Sequence, residues 1–178
     1  AGGSGGYLDF LGYPFCRGRI FDSIEEDFGQ YDDKKEIFWS SGACFMIRSK
    51  VFREVNGFDF DFFAHMEEID LCWRLQRAGF LLLYCPKSVV YHVGGGTLQK
   101  SNPYKTYLNF RNNLAMLYKN LKLYQLFFIM PARFLLDMIA AFRFLLSKKI
   151  GLFKAVFKAY FDFLSHLLKW QKKRLKTN

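Results

Sequence analysis

Glu67, Glu68 and Asp70 set three carboxylates in four positions, inside the run Phe63-Ala64-His65-Met66-Glu67-Glu68-Ile69-Asp70-Leu71-Cys72-Trp73-Arg74. The apolar spacing that follows predicts a helix, so the three acids fall in its first turn. Free N–H groups and the helix dipole favour negative charge there, and the side chains are expected to stay ionised, ready to accept a proton or face a cation. A plainer reading is open as well: an acidic first turn with Asp70 paired to Arg74 one turn on. Twenty-four residues after Glu68, His92 ends the β-branched run Ser88-Val89-Val90-Tyr91 and, after Val93, gives way to Gly94-Gly95-Gly96-Thr97. Ligands gather at such strand ends in open α/β sheets, which makes His92 a second candidate. A half-buried histidine at a sheet edge would look the same.

The elements that must position these groups follow from pattern. Strands are expected near Cys44 to Ile47, Leu81 to Cys85 and Val89 to His92, and helices near Lys50 to Val55, Glu67 to Ala78 and Tyr104 to Lys119. In the acidic helix Leu71, Leu75 and Ala78 share one face, and Gly79 ends it. Pro131 is expected to break or start a helix near Phe127 to Ala132. Four cysteines, Cys16, Cys44, Cys72 and Cys85, form no C-x-x-C pair and read as reduced, small core residues.

The formal net charge of +10 conceals two opposite parts. Residues 1–102 hold 11 Lys and Arg against 14 Asp and Glu, a net of −3, whereas residues 103–178 hold 15 against 2, a net of +13. Aromatic content of 20%, mostly Phe, is more than a water-facing surface needs. From Leu121 to Trp170 apolar residues dominate, but Arg133, Asp137, Arg143, Lys148, Lys154, Lys158, Asp162 and Lys169 interrupt them. No uncharged run of about 18 residues is left, so a conventional spanning helix is not expected. At about 100° per residue Lys154, Lys158, Asp162, Ser165, Lys169 and Lys172 fall in one arc, with Phe153, Val156, Phe157, Tyr160, Phe163 and Leu164 around the rest, as in one basic amphipathic helix. With Lys172-Lys173-Arg174-Leu175-Lys176 it suits an anionic membrane surface. Packing on the core or on a second copy, as a homo-oligomer, is the other reading. Nucleic acid is not expected as a partner, because the basic residues are interleaved with Phe and Leu on helical faces and no reading motif is present.

Four blocks then occur in order: Trp39-Ser40-Ser41-Gly42-Ala43-Cys44 leading into Phe45-Met46-Ile47-Arg48; Val55-Asn56-Gly57-Phe58-Asp59-Phe60-Asp61-Phe62-Phe63; Glu67 to Arg74; and Val90-Tyr91-His92 with its glycines. Together, from about Phe38 to Asn120, they resemble the C-terminal half of the GT-A catalytic domain of family 2 inverting glycosyltransferases, the branch with bacterial rhamnosyltransferase-like enzymes of cell-surface polysaccharide assembly. The resemblance implies an α/β, Rossmann-like fold, with residues 1–120 as the acceptor-side part of the GT-A domain and residues 121–178 as membrane-associating helices.

It also implies roles. The second acid of the family's E-D-x-D block is the general base that deprotonates the acceptor hydroxyl, and Glu68 stands there, with Glu67 its rival and Asp70 the third acid. Such a transfer is an in-line displacement, the base on the acceptor face and the nucleotide diphosphate leaving from the other. Glu in place of the commoner Asp lengthens the arm by one methylene. Trp39, Ser41, Gly42 and Ala43 would line the donor-sugar and acceptor pocket. Gly94, Gly95 and Gly96 would close over the diphosphate, with Arg111, Lys100 and Lys105 to help hold it. His92 would ligate a divalent ion, Mn²⁺ or Mg²⁺, bridging the leaving group. The one D-x-D, Asp59-Phe60-Asp61, falls in a different family block and reads as structural or acceptor-side. A metal-binding D-x-D and the nucleotide-binding half are expected before residue 1, since no G-x-G-x-x-G or P-loop is present.

The resulting expectation is an inverting glycosyltransferase, peripheral on the cytoplasmic face of a bacterial inner membrane. It would move a sugar from a nucleotide-sugar to a hydroxyl of a lipid-linked or polysaccharide acceptor, and this stretch alone would be inactive. A non-catalytic membrane-docking scaffold and a metal-dependent hydrolase are the alternatives.

Overall fold

The computed structural model describes residues 3–20, 23–92 and 102–177, and the chain forms two compact units. One comprises residues 1–63 and 67–92; the other comprises residues 64–66 and 93–178. The expected boundary at residue 120 coincides with a helix end inside the second unit.

The first unit opens with an antiparallel meander, β1 (Gly6–Leu8), β2 (Pro14–Cys16), β3 (Arg19–Ile20) and β4 (Ser23–Ile24). Tyr7 pairs with Phe15 across β1 and β2, and their rings stack with centroids 5.8 Å apart. Asp9 Oδ1 makes the turn between them by accepting from the Leu11 and Tyr13 amides at 2.9 and 2.8 Å. A second pair joins β5 (Lys35–Glu36) to β6 (Leu83–Tyr84). Of the three expected strands only the middle one forms, as β6. Residues 44–48 and 89–92 carry no ladder, and Met46, Val89, Val90 and Tyr91 are exposed. Strand propensity is a tendency of the side chains; a strand needs a neighbouring backbone to bond to, and these segments have none among the described residues.

Two helices follow. The first, α1 (Ser49–Glu54), is closed off by Asn56 and Gly57, both at positive φ, with the Gly57 amide donating to the Phe52 carbonyl at 2.8 Å. A single 3₁₀ turn at Phe60–Phe62 is capped by Asp59, whose Oδ1 accepts from the Asp61 amide at 3.1 Å. That cap gives Asp59-Phe60-Asp61 a structural use. The second, α2 (Glu67–Arg77), buries Ile69, Leu71, Cys72 and Leu75; each such apolar side chain contributes about 2 kcal/mol. Gly79, at φ 86°, lets the Phe80 amide reach back to the Leu75 carbonyl at 3.0 Å and so ends α2 where the sequence indicated.

The second unit is helical: α3 (Pro103–Asn120), α4 (Leu123–Leu146), α5 (Ile150–Ser165) and α6 (Leu167–Thr177). Asn102 caps α3 by accepting from the Tyr104 amide at 2.8 Å, with Pro103 in the first turn. Packed mainly against α5 and α6, α3 buries Leu108, Leu114, Ala115, Met116 and Leu117. Narrow residues of α5, Ala155, Val156 and Ala159, permit the close approach. Asn112 Nδ2 donates to the Ala64 and His65 carbonyls at 2.8 and 2.7 Å, tying the tripeptide Ala64–Met66 to α3.

The structure changes two expectations about these helices and adds a finding on α4. Pro131 neither breaks nor starts a helix but lies inside α4, on an exposed face beside exposed Phe127, where the lost backbone bond falls outside the packed core. By length and apolar composition α4 is able to cross a membrane. Two of the charges that argued otherwise are turned inward, while Arg143 in the last turn is exposed: Arg133 and Asp137 are 2% and 1% exposed and lie 3.5 Å apart, and Tyr160 of α5 donates to Asp137 Oδ2 at 2.8 Å. The single amphipathic helix expected through residues 154–172 is two, α5 and α6. Ser165 Oγ and His166 Nδ1 both bond the Asp162 carbonyl, at 2.9 Å each, and so compete with the helix ladder at the break. Of the four thiols, only Cys72 is buried; Cys44 and Cys85 are exposed and Cys16 is intermediate, all of them free.

Candidate active site

The chain enters α2 through unusual backbone. Phe63, His65 and Met66, none of them glycine, have φ of 62°, 68° and 71°. Each costs about 1–3 kcal/mol in that region, a kind of strain that clusters at functional sites. Glu67 and Glu68 come next, in the first turn of α2.

Both are half-buried, and one oxygen of each, Oε2, is shut off from solvent without a hydrogen-bond partner. Burial pushes the Glu68 carboxyl up to about 7, and the negative charge of Glu67 adds to the rise. Burial raises Glu67 as well. The expectation that a helix N-terminus would keep the acids ionised is therefore corrected: desolvation outweighs the favourable N–H groups and raises both carboxyls, Glu68 to about 7. A carboxyl that titrates near 7 is suited to taking a proton from a hydroxyl and releasing it again.

Asp70 differs from its neighbours. It is fully buried, and its Oδ2 accepts from Arg74 Nε at 2.9 Å. The remaining nitrogens of Arg74 donate to the Val55 and Gly57 carbonyls, the latter at 2.7 Å. Asp70 thus orients the guanidinium that fastens α2 to the turn after α1. Sequence pattern shows the Asp70 to Arg74 spacing but not the two carbonyls.

Cys16 and Cys72 lie within the electrostatic reach of Glu68. Burial pushes the Cys72 thiol up to about 11, and burial is also the main cause of the rise at Cys16. Both are protonated near neutrality, which excludes thiolate nucleophile chemistry beside the carboxyl pair.

Trp39 is half-buried against β1: its Nε1 donates to the Tyr7 carbonyl at 2.9 Å, and Gly6 forms a bridge with it. A Cβ on Gly6 would sit 2.2 Å from the indole, so only glycine fits there. Ser41, Gly42 and Ala43 are exposed, and Ser41 Oγ accepts from the Ala43 amide at 3.2 Å in a local turn. Gln76 is a positioning residue that the sequence did not flag. From the far end of α2 its Nε2 donates to the Phe38 carbonyl at 2.7 Å, while Trp73 meets Phe38 edge-on at 5.3 Å. These contacts hold Phe38 and Trp39 to the helix that carries Glu67 and Glu68.

Gly94, Gly95, Gly96 and Lys100 lie outside the described residues. His92 is exposed, and no group of three His, Cys, Asp or Glu side chains among the described residues is arranged to hold a metal ion. One imidazole does not hold Mn²⁺ or Mg²⁺, so the residues described do not make the expected metal site. Arg111 is buried in the helical unit, 3.8 Å from Asp162 and within 6.0 Å of the Trp170 ring. Lys105 is close enough to His65 to join burial in lowering its imidazole, which is neutral near pH 7.

Residues 22–165 match the family described as glycosyl transferase family group 2. The N-acetylglucosaminyl-diphospho-decaprenol L-rhamnosyltransferase of Mycobacterium tuberculosis (strain CDC 1551 / Oshkosh) is 41% identical over 59 residues, 33% of this chain and 19% of that protein. Rhamnosyltransferase WbbL of Escherichia coli (strain K12) is 43% identical over 56 residues, 32% of this chain and 21% of that one. The low-salt glycan biosynthesis hexosyltransferase Agl10 of Haloferax volcanii is 27% identical over 85 residues, 47% of this chain and 28% of its own length. The matched stretch thus spans 19–28% of the length of these three relatives. No solved structure matches the chain.

Proposed function

The chain belongs to glycosyl transferase family group 2, and on that premise we propose that it carries the acceptor-activating part of an inverting sugar transferase. A nucleotide-sugar is the donor, and a hydroxyl of a lipid-linked or polysaccharide acceptor is the nucleophile. Glu68 takes the proton of that hydroxyl as its oxygen attacks the anomeric carbon, and the nucleoside diphosphate leaves from the opposite face with the bonding electrons.

The observation that carries this reading is the Glu68 carboxyl itself, half-buried, with one oxygen unpartnered and a pKa raised to about 7. Glu67 is the neighbouring charge that helps raise it. Asp70 is a positioning residue through Arg74, and Trp39 with the exposed Ser41–Ala43 turn is the candidate sugar-facing wall. Enzymes of this family generally use a divalent metal ion; His92 is kept as its candidate ligand from the family comparison alone, and no step of this reading passes through the ion. Measuring transfer from a panel of nucleotide-sugars to a polyprenyl diphosphate–linked sugar, in the enzyme that contains these residues, tests it. Glu68→Gln must lower transfer by about 100-fold or more while leaving donor binding in place.

The helical unit is read as the membrane contact, on the cytoplasmic face of a bacterial inner membrane. Its exposed apolar surface supports this: α4 exposes Leu123, Phe127, Phe128, Leu135, Ile139 and Leu146 while burying Arg133 and Asp137. The +13 of residues 103–178 supplies attraction to an anionic leaflet.

A further inference from the structure

The last helix carries its own pattern of charge. Lys169, Lys172, Lys173 and Lys176 recur at helical spacing and together line a shallow, open concavity of about 340 Å³. They occupy an arc about 100° wide, and the four span about 10 Å along the axis. No acidic residue occurs in α6. Like charges at such spacing repel and weaken a helix. Yet α6 is fixed rather than loose: Trp170 is 1% exposed, and buried Arg174 donates from Nη1 to the Tyr118 carbonyl of α3 at 2.5 Å. The Lys169 and Lys173 ammonium groups sit 5.4 and 5.6 Å from the Trp170 ring, which steadies their stems.

On the side of the lysine arc away from Trp170 lie Leu168 and Leu175, 76% and 70% exposed. Thus α6 presents concentrated positive charge directly beside two unpartnered leucines. A nucleic acid would use the charge but not the leucines. A lipid with a multiply charged headgroup uses both.

We propose that α6 is a binding site for the diphosphate headgroup of a membrane lipid, with Lys169, Lys172, Lys173 and Lys176 on the diphosphate and Leu168 and Leu175 against the start of its hydrocarbon chain. A diphosphate carries two to three negative charges within a few ångströms and meets several ammonium groups at once, whereas an ordinary anionic phospholipid brings one. The lysines are already ordered by the docking of Trp170 and Arg174, so little side-chain freedom is lost on binding. That this lipid is the carrier of the sugar acceptor rests on the transferase reading above; the binding site does not.

The test is vesicle flotation of the intact chain against phosphatidylcholine vesicles doped either with a polyprenyl diphosphate or with phosphatidylglycerol at equal total charge. The diphosphate lipid is expected to bind at least about tenfold more tightly. The Lys172→Gln/Lys173→Gln/Lys176→Gln variant is expected to lose on the order of 100-fold for it, about fivefold for each lysine. Lys154→Gln/Lys158→Gln, on α5, should weaken both vesicle types alike. If the triple variant loses its helical circular dichroism, Leu168→Gln/Leu175→Gln replaces it: that pair should lower lipid binding and leave inorganic diphosphate binding unchanged. Equal affinity for the two vesicle types, an unaffected lysine variant, or inorganic diphosphate displacing the lipid at equal concentration would each overturn the site. Glu68→Gln binds the lipid normally if both readings hold. Loss of transfer activity as a property of the protein, with diphosphate-lipid selectivity intact, removes the transferase reading alone.

Discussion

Arg74 Nε donates to Asp70 Oδ2 at 2.9 Å from one turn further along α2, and the same guanidinium reaches the Val55 and Gly57 carbonyls. One buried ion pair therefore closes the turn that follows α1 onto the helix whose first residues are Glu67 and Glu68. Removing the guanidinium takes the counter-charge away from fully buried Asp70, so Arg74→Met should destabilise the protein by about 3 kcal/mol or more in urea unfolding. Pairing it with Asp70→Asn should recover part of the loss but not all, because the two carbonyls still lack a donor. A fully restored double variant would mean that those carbonyls are held by something else.

Glu68→Gln should lower turnover by about 100-fold or more with little change in nucleotide-sugar affinity, since a base is lost and a donor contact is not. In the unaltered protein kcat/KM should climb with pH through about 7 and then level, as the carboxyl that must accept the proton becomes ionised. Glu67→Gln removes the neighbouring charge that helps raise Glu68 and should move that rise to lower pH without abolishing turnover. If Glu67→Gln alone silences the enzyme, the two carboxylates exchange roles.

Gly6→Ala should cost about 1–3 kcal/mol, since the new methyl would lie 2.2 Å from the Trp39 indole. In a Trp39→Ala background the same change should be close to neutral. Chemical unfolding of the four members of this cycle measures the coupling directly. Additive losses would show that β1 resists the methyl for a reason other than Trp39.

What the sequence disclosed, and what it withheld, divides along local and long-range structure. Apolar spacing marked α2, Gly79 marked its end, and the pattern near Tyr104 to Lys119 marked α3. Each signal lies within a few residues of its effect. The meander β1 to β4 consists of strands of two or three residues, too short for alternation to register. Residues 44–47 and 89–92 have strand-like composition but gain no ladder, because pairing depends on another stretch of backbone. At the site, the carboxylates were legible as types at a spacing, whereas their protonation was not, being set by tertiary burial that outweighs the helix terminus. Gln76 carries no motif, and only the fold brings it to Phe38.

Stability should fall as pH rises from about 4.5 to about 7. Glu68 has its carboxyl raised from an ordinary 4.5 to about 7 in the folded chain, and Glu67 is raised too. Across that window the folded chain keeps a proton that the unfolded chain releases, so folding is favoured at the acid end and the advantage is gone above the folded value. Glu68→Gln, permanently uncharged, should flatten the dependence in urea midpoints taken at about pH 5 and about pH 8. An unchanged slope in that variant would show that the burial of Glu68 is not what raises it.

Deleting residues 121–178 should release the protein from anionic vesicles while α2 and its carboxyl pair keep their fold, because residues 121–178 hold exposed aromatic faces and 12 Lys and Arg against 2 acids, a net of +10. Salt separates the two contributions: Lys154, Lys158, Lys169 and the lysines after it should lose their share as ionic strength rises, whereas the face of Phe127, Phe128 and Ile139 should not. Flotation at low and at about 0.5 M salt therefore gives partial release if both terms operate. The opposite pattern is equally informative. Because α3 packs on α5 and α6, a truncated chain that precipitates while the intact one ignores vesicles in flotation would place these helices in a core or between copies of the chain, and the membrane reading would fall.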